Sequence, residues 1–170
     1  RLGELGLLGV TVADQFGVET LIVDAVIEAN ERQRDAMIPK IEKLVGDLNG
    51  KKIGMLGLSF KPETDDMRES PAIEIVAELI KRGASIKAFD PVAMEESKHY
   101  ISGIEYAHDE YDAIAGADAM VIVTEWNQFR ALDLERVKSL LTAPKIADLR
   151  NIYEPKEMRE LGFEYVGVGR

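Results

Sequence analysis

Lys51-Lys52-Ile53-Gly54-Met55-Leu56-Gly57-Leu58-Ser59-Phe60-Lys61-Pro62-Glu63-Thr64-Asp65-Asp66-Met67-Arg68-Glu69-Ser70-Pro71 is the stretch whose reading decides the fold. It opens as an apolar strand over Ile53–Leu58, with Gly54 and Gly57 where the backbone needs close approach. A polar loop follows, carrying Phe60, Lys61, Thr64, Asp65, Asp66 and Arg68. Ser70 and Pro71 are the side-chain cap and first-turn proline of a helix start. A strand that feeds a phosphate-sized loop and then a helix is how α/β folds build anion sites.

Downstream, the pattern repeats. Helices are predicted over Pro71–Arg82, near Ala93–His99, and over Glu110–Ala115, Leu134–Leu141 and Pro155–Leu161. Strands are predicted over Ser85–Phe89, Ile104–Ala107, Ala119–Thr124, Lys145–Ala147 and Glu164–Val168. Ala119–Thr124 is an unbroken apolar run of the kind buried on both faces. Alternation of this kind implies βα units on a mostly parallel, doubly wound α/β sheet. Ligands in such sheets sit at the carboxyl ends of the strands. Those ends carry Ser59-Phe60-Lys61, Asp90, Thr124-Glu125-Trp126 and Asp148-Leu149-Arg150.

Upstream, 1–17 is apolar and interrupted by Gly3, Gly6, Gly9 and Gly17. From Val18 to Leu48 the apolar positions recur at helical spacing, which predicts a long helix of roughly 45 Å at ~1.5 Å per residue. Pro39 lacks an N–H for the helix ladder, so a kink or break is expected just before it. A helix this long exceeds what the domain needs for its own core. We therefore read it as a linker helix at a subunit interface, in preference to intramolecular packing. Asn49-Gly50 ends it, giving an expected division into 1–50 and 51–170.

Composition narrows the function classes. No apolar run approaches membrane-spanning length and no signal-peptide pattern opens the chain, so a cytoplasmic protein without membrane association is expected. The chain opens on Arg1 rather than methionine, which points to a processed, engineered or otherwise partial polypeptide. Among its 170 residues there is no cysteine, which excludes disulfides, thiolate metal sites and a cysteine nucleophile supplied from within. The net charge of −10 argues against general nucleic-acid binding. An anionic ligand must then be held by a few local cations.

Lys61 stands just past a strand end in a loop with free amides, suited to a diphosphate or simply to solvent. Arg68 is a fork suited to phosphate or carboxylate, or to a pair with Asp65, Asp66 or Glu69. Asp65 and Asp66 could be paired acid–base groups or metal ligands. With no histidine near them and a helix start just ahead, the structural role is preferred and no metal site is expected. Arg150 should emerge at the same sheet edge as Lys61. Trp126 and Phe129 read as core cover, and His99 and His108 as exposed and inert. Gly54-Met55-Leu56-Gly57 lacks the third glycine of a dinucleotide fingerprint, and Asp90 lies farther from Gly57 than a ribose-binding acid usually does.

The run from Gly54 to Pro71 resembles the signature of the UDP-glucose 6-dehydrogenase family. So do Phe89-Asp90-Pro91, Thr124-Glu125-Trp126 with Phe129-Arg130, Asp148-Leu149-Arg150-Asn151-Ile152-Tyr153 and the glycine-rich terminus Gly162–Arg170. The helix carrying Glu28-Ala29-Asn30-Glu31-Arg32-Gln33 is similar to the family's central helix. The Thr-Glu-Trp and Arg-Asn elements resemble the UDP-glucose branch more than the UDP-N-acetylmannosamine or GDP-mannose branches.

The resemblance implies that 1–50 is the end of a central dimerisation region and 51–170 a UDP-binding Rossmann-like domain. It assigns Phe60, Lys61 and Arg150 to the UDP-sugar, and Arg68 to NAD held by an N-terminal domain that this chain lacks. The implied reaction is the twofold oxidation of UDP-glucose to UDP-glucuronate, in which a cysteine captures the aldehyde. With neither the cysteine nor the NAD domain, the chain alone should not turn over. It should bind UDP or UDP-glucose and form a homodimer through the 18–48 helix. Two alternatives are a free-standing, non-catalytic nucleotide-sugar-binding or scaffold module, and a true NAD-binding domain.

Overall fold

In the computed structural model, residues 21–169 are described. The opening stretch 1–17 and the helix start at Val18 lie outside them. The chain divides into two compact units between Ala36 and Met37. In the first, the described element is helix α1, Leu21–Asp35. Its Leu21 and Val26 are 70% and 53% exposed.

The second unit begins with α2, Met37–Val45, so the predicted long helix is two helices with Ala36 between them. Pro39 supplies the physical reason: it has no N–H to offer the Asp35 carbonyl, and its ring crowds that carbonyl. The α2 segment also corrects the interface reading. Met37, Ile38, Ile41, Leu44 and Val45 are buried in the core of this unit, so the apolar face of this half is spent within the chain.

β1, Lys52–Leu56, leads through the long loop to α3, Pro71–Lys81. Ser70 caps that helix: its Oγ accepts from the Ala72 N–H at 3.2 Å and donates to the Leu58 carbonyl at 2.6 Å. The loop is thereby tied back to the strand it left. There follow β2 (Ser85–Phe89), α4 (Met94–Ser97), β3 (Glu105–Tyr106) and α5 (Glu110–Ile114). Next come β4 (Ala119–Ile122), α6 (Asn127–Arg130), α7 (Leu134–Leu140) and β5 (Lys145–Asp148). α8 (Pro155–Glu160) and β6 (Glu164–Gly167) complete the unit.

The six strands form one parallel sheet in the order β3-β2-β1-β4-β5-β6. This is the doubly wound order, and it reverses direction between β1 and β4. Successive side chains alternate between two cores. Ile53, Met55 and Val121 pack beneath α2 and α3, while Leu56, Met120, Ile122 and Ile146 pack with α5, α7 and α8. All of Ala119–Ile122 is buried, as the unbroken apolar run predicts.

Candidate functional site at the strand reversal

Gly57 opens the site. Its φ of +89° is left-handed, and a Cβ there would lie 2.5 Å from the Thr124 Cβ. Only glycine lets the turn after β1 press this closely on the turn after β4. Thr124 answers by donating its hydroxyl to the Ser59 carbonyl at 2.6 Å.

Asp90, which ends β2, is fully buried. Its Oδ2 accepts from the N–H groups of Leu58 at 2.8 Å and Ser59 at 3.1 Å, from the Ser59 hydroxyl at 3.1 Å and from the Trp126 indole at 3.2 Å. Its Oδ1 accepts from the Val92 and Ala93 N–H groups at 3.0 and 2.8 Å. A buried carboxylate is tolerable only when satisfied in this way. In a dinucleotide fold the acid at the end of the second strand holds a ribose. Here that carboxylate is spent on the chain's own turns, so these residues do not fit NAD at this sheet.

What the clasp leaves outside is Phe60, which is 46% exposed, and the exposed Lys61. The loop beyond them is tightly built. Phe60 N–H donates to the Asp66 carbonyl at 2.8 Å, Met67 is buried, and Glu63 and Glu69 hold left-handed φ of 62° and 60°. Left-handed backbone at non-glycine residues costs about 1–2 kcal/mol each, so the surrounding structure must over-determine this loop.

Arg68 presents its fork to Asp66, with Nε and Nη2 each 2.9 Å from a carboxylate oxygen. That pairing, followed by the Arg68 backbone N–H, holds the Asp66 carboxyl down at about 2, and it raises the Arg68 guanidinium above its ordinary value. Of the two readings open for Arg68, the pair with a neighbouring acid is the arrangement present. Asp66, Arg68, Glu96 and Tyr100 line a cavity of about 380 Å³.

Arg150 follows β5 and does emerge at the same sheet edge as Lys61, with β4 between their strands. At ~4.8 Å per strand spacing, the two turns stand roughly 10 Å apart at their bases. The Asp148 carboxylate, fully buried, fixes the turn. It accepts from the N–H groups of Arg150 and Tyr153, each at 3.0 Å, and from the Tyr165 hydroxyl at 2.7 Å. Tyr153 in turn donates its hydroxyl to the Phe129 carbonyl, and burial pushes its phenol far above the ordinary range.

The Arg150 guanidinium is engaged by Glu125: Nε and Nη2 each meet one carboxylate oxygen, the second at 2.7 Å. This contact depresses the Glu125 carboxyl. Glu125, Arg130, Arg150 and Asn151 line a cavity of about 320 Å³. The sequence placed Glu125 at a strand end without a role. Its signal was a carboxylate and a guanidinium at the ends of two strands that could be neighbours.

A third cavity, about 500 Å³, lies at the opposite edge of the sheet among Lys52, Ser85, Lys87 and Glu105. It is larger but sits away from the strand carboxyl ends, and Lys87 there is already paired with Asp112 and Glu105. Trp126 and Phe129 are core, as expected, and His99 and His108 are exposed. Among the described residues, no group of three or more His, Asp or Glu side chains could hold a metal ion, and no helix is long and apolar enough to cross a membrane.

The chain resembles several UDP-glucose 6-dehydrogenases. It is 44% identical over 162 residues to a UDP-glucose 6-dehydrogenase of Rhizobium meliloti (strain 1021), covering 95% of this chain and 37% of that protein. It is 38% identical over 160 residues to a UDP-glucose 6-dehydrogenase of Bacillus subtilis (strain 168), covering 94% and 35%. A UDP-glucose dehydrogenase structure from Pyrobaculum islandicum superposes with a TM-score of 0.78 at 31% identity, over 95% of this chain and 35% of that one. The chain thus spans about a third of the length of the relatives it matches. Residues 54–155 match the model of the UDP-glucose/GDP-mannose dehydrogenase family's UDP binding domain. The chain belongs to that family, and its doubly wound sheet is the family's UDP-binding domain.

Proposed function

We propose that this chain is the uridine-nucleotide-binding part of an NAD-dependent UDP-glucose 6-dehydrogenase. The observation that carries the proposal is the Asp90 clasp. It fills the place of a dinucleotide's ribose acid and holds Phe60 and Lys61 out at the strand reversal, where an α/β sheet binds its ligand. On this reading Lys61 and Arg150 face the diphosphate from two sides of β4, and Phe60 contacts the nucleotide sugar. Arg68 reaches NAD held by a separate domain, once it leaves Asp66.

Twofold oxidation of a sugar alcohol to a carboxylate needs a hydride acceptor and, by the thioester route, a thiolate. None of the 170 residues is cysteine, so the thiolate comes from outside this chain, and the chain alone is inactive. Residues 1–50 serve as the end of a central region, with 51–170 as the nucleotide domain. Of the 18–48 segment, the α1 half forms the homodimer contact. The exposed Leu21 and Val26 of α1 support that contact, since the apolar face of α2 is turned inward.

Calorimetric titration with UDP and UDP-glucose tests the proposal. Saturable UDP binding, weakened by about 1–3 kcal/mol in Lys61→Ala through loss of a charge-assisted contact, supports it. Binding that Lys61→Ala leaves unchanged would put the diphosphate elsewhere.

A further inference from the structure

Arg150 is the one proposed ligand contact whose charge is already answered in full by a bidentate carboxylate from a different strand turn. Glu125 holds that fork in the geometry a phosphate would use, because a carboxylate and a phosphate present paired oxygens to a guanidinium in the same plane. The pair is neither buried nor freely solvated: the Arg150 side chain is 34% exposed and that of Glu125 is 28% exposed. Both can therefore exchange partners without opening the core.

A second cation stands ready. Arg130 lines the same cavity, and its field already contributes to lowering the Glu125 carboxyl, although Arg150 is the main cause. Of its donors, Nη1 goes to the Ile152 carbonyl at 3.2 Å.

We infer that Glu125 is a specificity-determining residue that acts as an internal stand-in for the ligand's phosphate. It occupies Arg150 in the free protein and must yield the fork to an incoming diphosphate, turning toward Arg130. This rests on the UDP-binding reading and goes beyond it. Glu125 sets the anionic charge a ligand must bring before Arg150 will engage it. A neutral nucleoside cannot displace the carboxylate and gains nothing from Arg150, whereas a diphosphate can and does. In a chain with a net charge of −10 such a device also keeps the fork from being filled by weak anions.

The test is titration of the whole chain and of its Glu125→Gln variant with UDP and with uridine. Glutamine keeps the size and can still turn to Arg130's neighbourhood, but it no longer competes as an anion. The expected result is UDP binding roughly three- to tenfold tighter in Glu125→Gln, the scale of removing a partly exposed ion pair, with uridine binding unchanged. UDP and uridine binding tightened alike in the variant would mark a general structural effect and overturn the inference. Equal or weaker UDP binding in the variant overturns the inference and makes Glu125 an orienting partner of Arg150, while leaving the UDP reading intact. Absence of UDP binding in both proteins would overturn the UDP reading itself, and this inference with it.

Discussion

The Trp126 indole N–H donates to the Asp90 carboxylate at 3.2 Å, joining the turn after β4 to the turn after β2 across the turn of β1 that lies between them. Three strand ends thereby share one buried anion. Trp126→Phe removes this donor and leaves the other bonds to Asp90 in place, while its smaller ring also gives up some packing at a buried position. We expect a loss of about 1–2 kcal/mol, near the lower end for hydrogen bonds to charged groups. Urea unfolding should show a lower midpoint at unchanged slope.

Asp90→Asn should cost more. Whichever way the amide is turned, its NH₂ faces N–H donors of Leu58 and Ser59, or of Val92 and Ala93. A loss of about 2–4 kcal/mol is expected from unpaired buried donors and the lost charge. UDP affinity should fall as well, because the turn that presents Lys61 is no longer held. An Asp90→Asn protein with wild-type stability would show that the clasp is dispensable.

Two glycines separate close approach from backbone strain. Gly116 has φ +71° with open space around a Cβ, so Gly116→Ala should cost about 1 kcal/mol. Gly57 has φ +89° and a Cβ would meet Thr124 at 2.5 Å, so Gly57→Ala adds an overpacking penalty of about 1–3 kcal/mol. Thermal melts of the two variants should differ accordingly.

The Asp66–Arg68 pair predicts a pH dependence of definite sign. The Asp66 carboxyl is lowered from 3.8 to about 2 in the folded chain. A depressed carboxyl contributes stability that is present above its unfolded value and disappears as pH falls through the folded one. The stability difference between wild type and Asp66→Asn should therefore be constant above about pH 5 and shrink between about pH 4 and 2. With the Arg68 side chain 80% exposed, solvent screens the pair and the difference should be small. Urea melts of both proteins across that range check it; a difference growing on acidification would contradict the assignment.

Much of this architecture was legible because it depends on local pattern. The Ser70-Pro71 helix start, the doubly buried run at Ala119 and the alternation of strands and helices each announce themselves within a few residues. The short helix Asn127–Arg130 went unread, since it is a single turn with no side-chain cap. The break at Ala36 was placed only approximately, because Pro39 acts on a carbonyl four residues back rather than where it stands. The Glu125–Arg150 pair was only weakly signalled, for a different reason. It spans 25 residues and exists because β4 and β5 are neighbours, a long-range fact that sequence spacing does not carry. Asp90 could be seen at a strand end, but not that its carboxylate would be consumed by backbone N–H groups of the β1 turn.

The central claim is that the carboxyl edge at the strand reversal, between the turns of β1 and β5, receives a uridine diphosphate. Amide chemical-shift mapping of the whole chain during UDP titration tests it most directly. The account predicts that Phe60, Lys61, Arg150 and Asn151 move together and saturably. Shifts confined to Lys52, Ser85 and Lys87, around the cavity at the opposite edge, would contradict it.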